Sequence, residues 1–198
     1  MADKRTYKVP FRRRKEGKTN YAKRLAFVKS NKNRLVVRRS NKRVLVELVS
    51  QGKQGDQTLV FASSKELQQF GWKGNFCNIP AGYLTGLLAG KKAVQSGQKE
   101  AVLDIGFQVA HHGGVLFAAA KGALDAGLQL SLGEKSVPDA NRLSGKHIQD
   151  FAQSLSSEEL QKRFGAELKN GFDPKKTVDT FEKTKQAILS AKIMQKKG

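Results

Sequence analysis

With 198 residues, 38% of them hydrophobic, the chain can bury one proper core and little more, and 37 Lys/Arg against 17 Asp/Glu leave a net charge of +20. The single cysteine, Cys77, excludes an intrachain disulfide framework and a multi-cysteine zinc site, and no apolar run is long enough to span a bilayer. The opening Ala-Asp-Lys-Arg lacks the apolar segment of a secretory signal, so the expectation is a cytosolic protein with a polyanionic partner.

Charge is concentrated at the N-terminus. Between Met1 and Arg43 there are 17 Lys/Arg and two acids, Asp3 and Glu16. Arg12, Arg13 and Arg14 sit side by side, and a guanidinium matches phosphate oxygens with a planar fork. Tyr7, Phe11, Tyr21 and Phe27 are interleaved with the cations and can stack on unpaired bases. Pro10 and Gly17 prevent one continuous helix, so residues 1–18 read as an extended arm that orders on RNA. A solvated tail, a nuclear localisation signal or a membrane-binding cluster are the competing readings of such a run. The mixture of arginines with aromatics favours nucleic acid.

Thr19 or Asn20 can cap a short helix with Tyr21, Leu25 and Val28 on one face and Lys23 and Arg24 projecting away. Leu35–Arg39 reads as a first strand, Ser40-Asn41-Lys42 as a tight turn and Arg43–Val49 as a second strand. Val44, Val46 and Leu48 would face one side, Leu45, Glu47 and Val49 the other. A Gly-rich loop from Gln51 to Asp56 precedes a third strand, Thr58–Ala62, and the three strands suggest an antiparallel meander. A short helix through Leu67 and Phe70 leads into the loop Gly71-Trp72-Lys73-Gly74-Asn75.

The best-defined helix follows, with Asn78 as cap, Pro80 in the first turn and Gly97 past the end. Gly82, Gly86 and Gly90 recur every four residues, as in membrane helix dimers, but the apolar run stops at Lys91-Lys92, and close packing on a sheet is expected instead. Ala101–Ile105 has the form of a strand buried on both faces, and a helix from about Val115 to Ala126 completes a strand-helix unit. The fold class is therefore α/β, a three-strand antiparallel meander followed by a strand-helix unit. Ser144 can cap a helix carrying Ile148, Phe151 and Leu155, Ser156–Glu159 has capping-box spacing, and Asp173-Pro174 starts a last helix with a thin stripe of Val178, Phe181 and Ile188 before Lys196-Lys197-Gly198. Three regions result: a basic arm with its short helix (1–32), an α/β core (33–130) and a helical extension (131–198) suited to docking on a partner.

Catalytic signals are weak. Asp104 follows a strand, where open α/β sheets place active residues, but no second carboxylate, serine nucleophile or phosphate loop accompanies it, and a carboxylate bonded to loop amides is the plainer reading. His111 and His112 are adjacent and would point apart; with His147 and Cys77 they are the only soft ligands, so neither a metal nor a cofactor is expected. The glycines of the 106–114 loop lack dinucleotide or Walker spacing, although its backbone amides could hold a phosphate. A metal-assisted RNA-processing hydrolase built on Asp104 and the histidine pair is the alternative function, and a non-specific DNA-binding protein a third.

Three blocks carry a resemblance: Val9–Tyr21, Gly71–Asn75 with Ile79–Gly90, and Ala101–Gly106 with Phe117–Gly127. In this order and spacing they resemble the archaeal-type large-subunit ribosomal protein L-eighteen family, whose eukaryotic counterpart is L-five, and the resemblance implies a mixed sheet flanked by helices. The chain departs from it at His111-His112-Gly113-Gly114, where relatives often carry Thr-Pro and a basic residue. The resemblance implies a cytoplasmic protein of the large ribosomal subunit, not an enzyme, that binds 5S rRNA and anchors it to the large-subunit rRNA in the central protuberance. It would sit there among neighbouring ribosomal proteins, including L-five of the bacterial nomenclature. Carried over, family RNA contacts fall on Lys8, Arg12, Arg13, Arg14, Lys15, Lys18, Arg38, Arg39 and Arg43, with Trp72, Lys73 and Asn75 in the loop; the reading of the arm adds Phe11, Tyr21, Lys23 and Arg24.

Overall fold

A computed structural model describes residues 8–52 and 55–191; Tyr7 and the closing Lys196-Lys197-Gly198 lie outside the described residues. Strands β1 (Arg34–Arg39), β2 (Val44–Gly52), β3 (Gly55–Ser63) and β4 (Val102–Asp104) form one sheet in the order β3-β2-β1-β4. β1 and β2, and β2 and β3, are antiparallel; β4 joins parallel to β1, giving the mixed α/β sheet expected.

Period-two alternation divides the sheet into two unlike faces. Leu35, Val37, Val44, Val46, Leu48, Val60 and Ala62 point into the core. Arg34, Val36, Arg38, Glu47 and Val49 line the other side. The β1–β2 turn closes as read, with the Ser40 amide donating to the Arg43 carbonyl. The β2–β3 connection does not: Ser50 pairs with Gln57 and Gly52 with Gly55, so β3 starts three residues early and the expected loop is mostly ladder. Polar residues join a strand ladder through their backbone groups, which hydropathy cannot report.

Two more readings change. β4 is an edge strand, with Val102 and Leu103 half-buried, and just before it Glu100 forms an isolated parallel bridge with Gln129. The glycine ladder of α3 (Ile79–Gln95) faces not the sheet but the parallel helix α4 (Val115–Asp125), with Gly82, Gly86 and Gly90 meeting Val115, Ala119 and Ala123 in turn. A Cβ on Gly86 would lie 1.8 Å from the Ala119 carbonyl oxygen, and one on Gly122 would lie 2.0 Å from that of Tyr83. The two backbones thus touch, and among the described residues no helix is long and apolar enough to cross a membrane. Asn78 caps α3, its Oδ1 accepting from the Ala81 amide at 3.0 Å. Across the helix pair Tyr83 Oη donates to Asp125 Oδ2 at 2.9 Å; burial first, then this carboxylate, hold the phenol well above its ordinary pKa.

The C-terminal region forms α5 (Ala140–Ser144), α6 (Lys146–Ser154), α7 (Ser157–Lys169) and α8 (Thr177–Ser190). Ser156 and Glu159 make the capping box as read. Ser144 ends α5 instead of capping α6. Gly145, at φ +82°, starts that helix where a Cβ would lie 2.8 Å from Thr177 Cγ2. The core does not stop near residue 130. Phe172, Phe181 and Ile188 are buried in the same cluster as the sheet, with Phe181 5.5 Å from Tyr83 and Phe172 5.5 Å from Trp72. Lys91 Nζ donates to the Ile188 and Leu189 carbonyls at the end of α8. The thin apolar stripe of α8 suffices because α3, α5 and α6 together pack around the helix.

Candidate nucleic-acid interface

The arm is not extended throughout. Phe11–Glu16 winds into a single helical turn, α1 (Arg12–Lys15), with every side chain exposed. α2 (Tyr21–Ser30) follows, capped by Asn20 Oδ1, which accepts from the Lys23 amide at 3.1 Å, and closed by Asn31 in the left-handed region at φ +51°. The Phe11 and Tyr21 rings meet at 5.2 Å and Arg13 Nε donates to Thr19 Oγ1 at 2.8 Å, so α1 folds back on α2. Lys18 and Arg12 share Glu16, at 2.8 and 3.6 Å.

α2 lies over the polar face of the sheet with no residue buried. Its sheet side differs from the face read in the sequence: Leu25 is 54% exposed, while Arg24 turns inward to Asp56 at 3.2 Å. From there charge alternates across the sheet. Arg34 bridges Asp56 at 2.7 Å and Asp104 at 3.2 Å, and Arg38 meets Asp104 Oδ1 at 3.3 Å while its Nη1 donates to the Asp104 carbonyl at 2.6 Å. Asp104 Oδ1 also accepts from the Gly106 amide at 2.8 Å. The carboxylate is thus a structural counter-ion, and a guanidinium tied to carboxylate and carbonyl keeps few rotamers.

Helix α2, β1 and the arm enclose a cleft of about 290 Å³ between them. Arg13, Lys18, Lys23, Arg24, Arg34 and Arg38 line it against Glu47, Asp56 and Asp104. Chemically it is a cationic trough whose donors are aimed before any ligand arrives, with Arg12, Arg14, Lys15 and Lys8 exposed beside it in the arm.

A family model for "Ribosomal large subunit proteins 60S L5, and 50S L18" matches residues 5–100. The large ribosomal subunit protein uL18 of Methanothermobacter thermautotrophicus is 47% identical over 188 residues, covering 95% of this chain and 98% of the relative. Those of Methanobrevibacter smithii and Methanosphaera stadtmanae are each 45% identical over 191 residues, covering 96% and 99%. The chain belongs to this ribosomal protein family. It is accordingly a structural protein of the large ribosomal subunit, on the cytoplasmic ribosome.

Within that family frame the sequence-read residues divide. Arg13, Lys18, Lys23, Arg24 and Arg38 converge on the cleft; Lys8, Phe11, Arg12, Arg14, Lys15 and Tyr21 stay with the arm above it. Arg39 points to a different crevice, and Arg43 is exposed on the turn. Trp72 is fully buried, its indole donating to the Asn75 carbonyl at 3.1 Å, so its ring is core and not a stacking platform. Lys73 and Asn75 remain exposed beside it, away from the cleft. Arg34 was missed. The signal was present, since Arg34 and Arg38 stand four apart on one strand and share a face. Among the described residues no group of three or more His, Cys, Asp or Glu could hold a metal ion, and the histidine pair lines a crevice that does not include Asp104.

Proposed function

We propose that this protein binds 5S rRNA and attaches it to the large-subunit rRNA in the central protuberance, beside L-five of the bacterial nomenclature. The observation that carries this reading is the cleft: five sequence-read cations and Arg34 converge over one sheet face, where Asp56 and Asp104 hold Arg24, Arg34 and Arg38 in place. α1 and α2 deliver Arg12, Arg13 and Arg14 to its rim, where they neutralise phosphates. Phe11, exposed at 71%, is the ring available to an unpaired base. Sequence preference comes from RNA shape and unpaired bases, because the deep major groove of an A-form helix is closed to side chains.

The test is 5S RNA binding across a salt series for the parent and for a variant with Arg12, Arg13 and Arg14 changed to Gln. Three lost phosphate contacts lower the log–log salt slope by about two to three, at roughly 0.7 to 0.9 per contact. An unchanged slope removes the arm from the RNA interface.

A further inference from the structure

We propose that the crevice at the carboxyl ends of β1 and β4 is a second RNA site, which takes one unpaired nucleotide with its base against Phe107 and its phosphate between Arg39 and Arg142. This rests on the RNA-binding reading above but concerns a different surface. β1 and β4 are the parallel pair of the sheet, and the crevice outside the carboxyl ends of parallel strands is where open α/β sheets hold ligands. Here the loop between β4 and α4 walls a cavity of about 580 Å³, within the range of small-ligand sites.

Its chemistry suits a nucleotide. Arg39, Arg142, His111 and His112 line it, and no Asp or Glu does. Neither arginine makes an ion pair among the described residues, in contrast to Arg34 and Arg38 on the same sheet. Arg39 is nonetheless held: Gln108 bonds both its backbone amide and its carbonyl, and its Nε donates to Cys77 Sγ at 3.3 Å, leaving the outer guanidinium nitrogens to a ligand. The His112 ring stacks on Phe117 at 6.2 Å with 6° between planes, which steadies that wall. Phe107 and Val109 are 55% and 67% exposed on the loop, apolar surface that a stacked base would cover. An aromatic ring beside unneutralised guanidinium groups is what single-stranded RNA uses.

The experiment measures full-chain binding to 5S RNA and, separately, to large-subunit RNA, for Phe107→Ala and Arg142→Gln; both side chains are exposed, so the fold is kept. Loss of a base stack weakens binding to one RNA roughly 5-fold or more with the salt slope unchanged, while loss of the Arg142 phosphate contact lowers that slope by about 0.7 to 0.9. Ultraviolet crosslinking of the complex should leave a nucleotide on the tryptic peptide Glu100–Lys121, and Phe107→Ala should abolish it. If both variants match the parent on both RNAs and no adduct forms, the proposal is overturned, and the exposed ring belongs to a protein contact. If the parent itself binds neither RNA, the RNA-binding reading has failed independently of this crevice.

Discussion

The two faces of one sheet are held by opposite physics. On one, α3 lies against the strands and α4 lies against α3 at a glycine ladder where backbones touch, and residues 79–90 are all buried. On the other, α2 buries nothing and is tied down through Arg24, Asp56, Arg34, Asp104 and Arg38. Dispersion and water exclusion fix the first face; directional charge pairing arranges the second. The lesson is a division of labour: stability is stored on the packed face, while on the other the carboxylates of Asp56 and Asp104 aim the arginines.

The largest effect that would break this contrast is on the packed face. Gly86→Val drives a branched side chain into the Ala119 backbone, which cannot yield as a flexible side chain would. Overpacking of this kind costs about 3 kcal/mol or more. Denaturant unfolding should show a lowered midpoint, and a parent-like midpoint would mean that the helices separate freely.

Asp104→Asn attacks the charged face at its most buried carboxylate, which is 7% exposed. Removing one member of a buried pair leaves two guanidinium groups short of a counter-charge. The expected loss is about 2 to 3 kcal/mol, at or below the usual range for breaking a buried pair because Arg38 is partly solvated. The same unfolding measurement checks it, and the salt slope of RNA binding should not fall, since no cation is removed.

Smallest is Asp56→Asn. Its pairs with Arg24 and Arg34 are half-open to solvent, so global stability should change by less than about 1 kcal/mol. Hydrogen exchange should nevertheless quicken through α2 while α3 stays protected, and high salt should do the same to the parent. Equal exchange in both helices would mean that α2 is held by something other than charge.

Much of the fold was legible because its signals are local. Asn78 with Pro80, the Ser156–Glu159 box and the alternation of β1 and β2 each act within a few residues, and each element stands where those residues put it. The site was legible in part: the arm's arginines announce themselves by density, and Arg34 could have been found by strand period. Trp72 misled, since a lone large ring beside a lysine reads as a binding loop until Phe172, 100 residues later, is seen against it.

By itself, then, the sequence determined the charge, the caps of α3 and α7, the faces of β1 and β2, and the family. Tertiary structure alone decided which partner each surface meets: α4 for the glycines, α3 for the last helix, Asp56 and Asp104 for the arginines. The reason is physical. Caps and periodicity follow from bonds within a turn or a strand pair, whereas Arg34 and Asp104 lie 70 residues apart and are neighbours only because β4 docks parallel to β1.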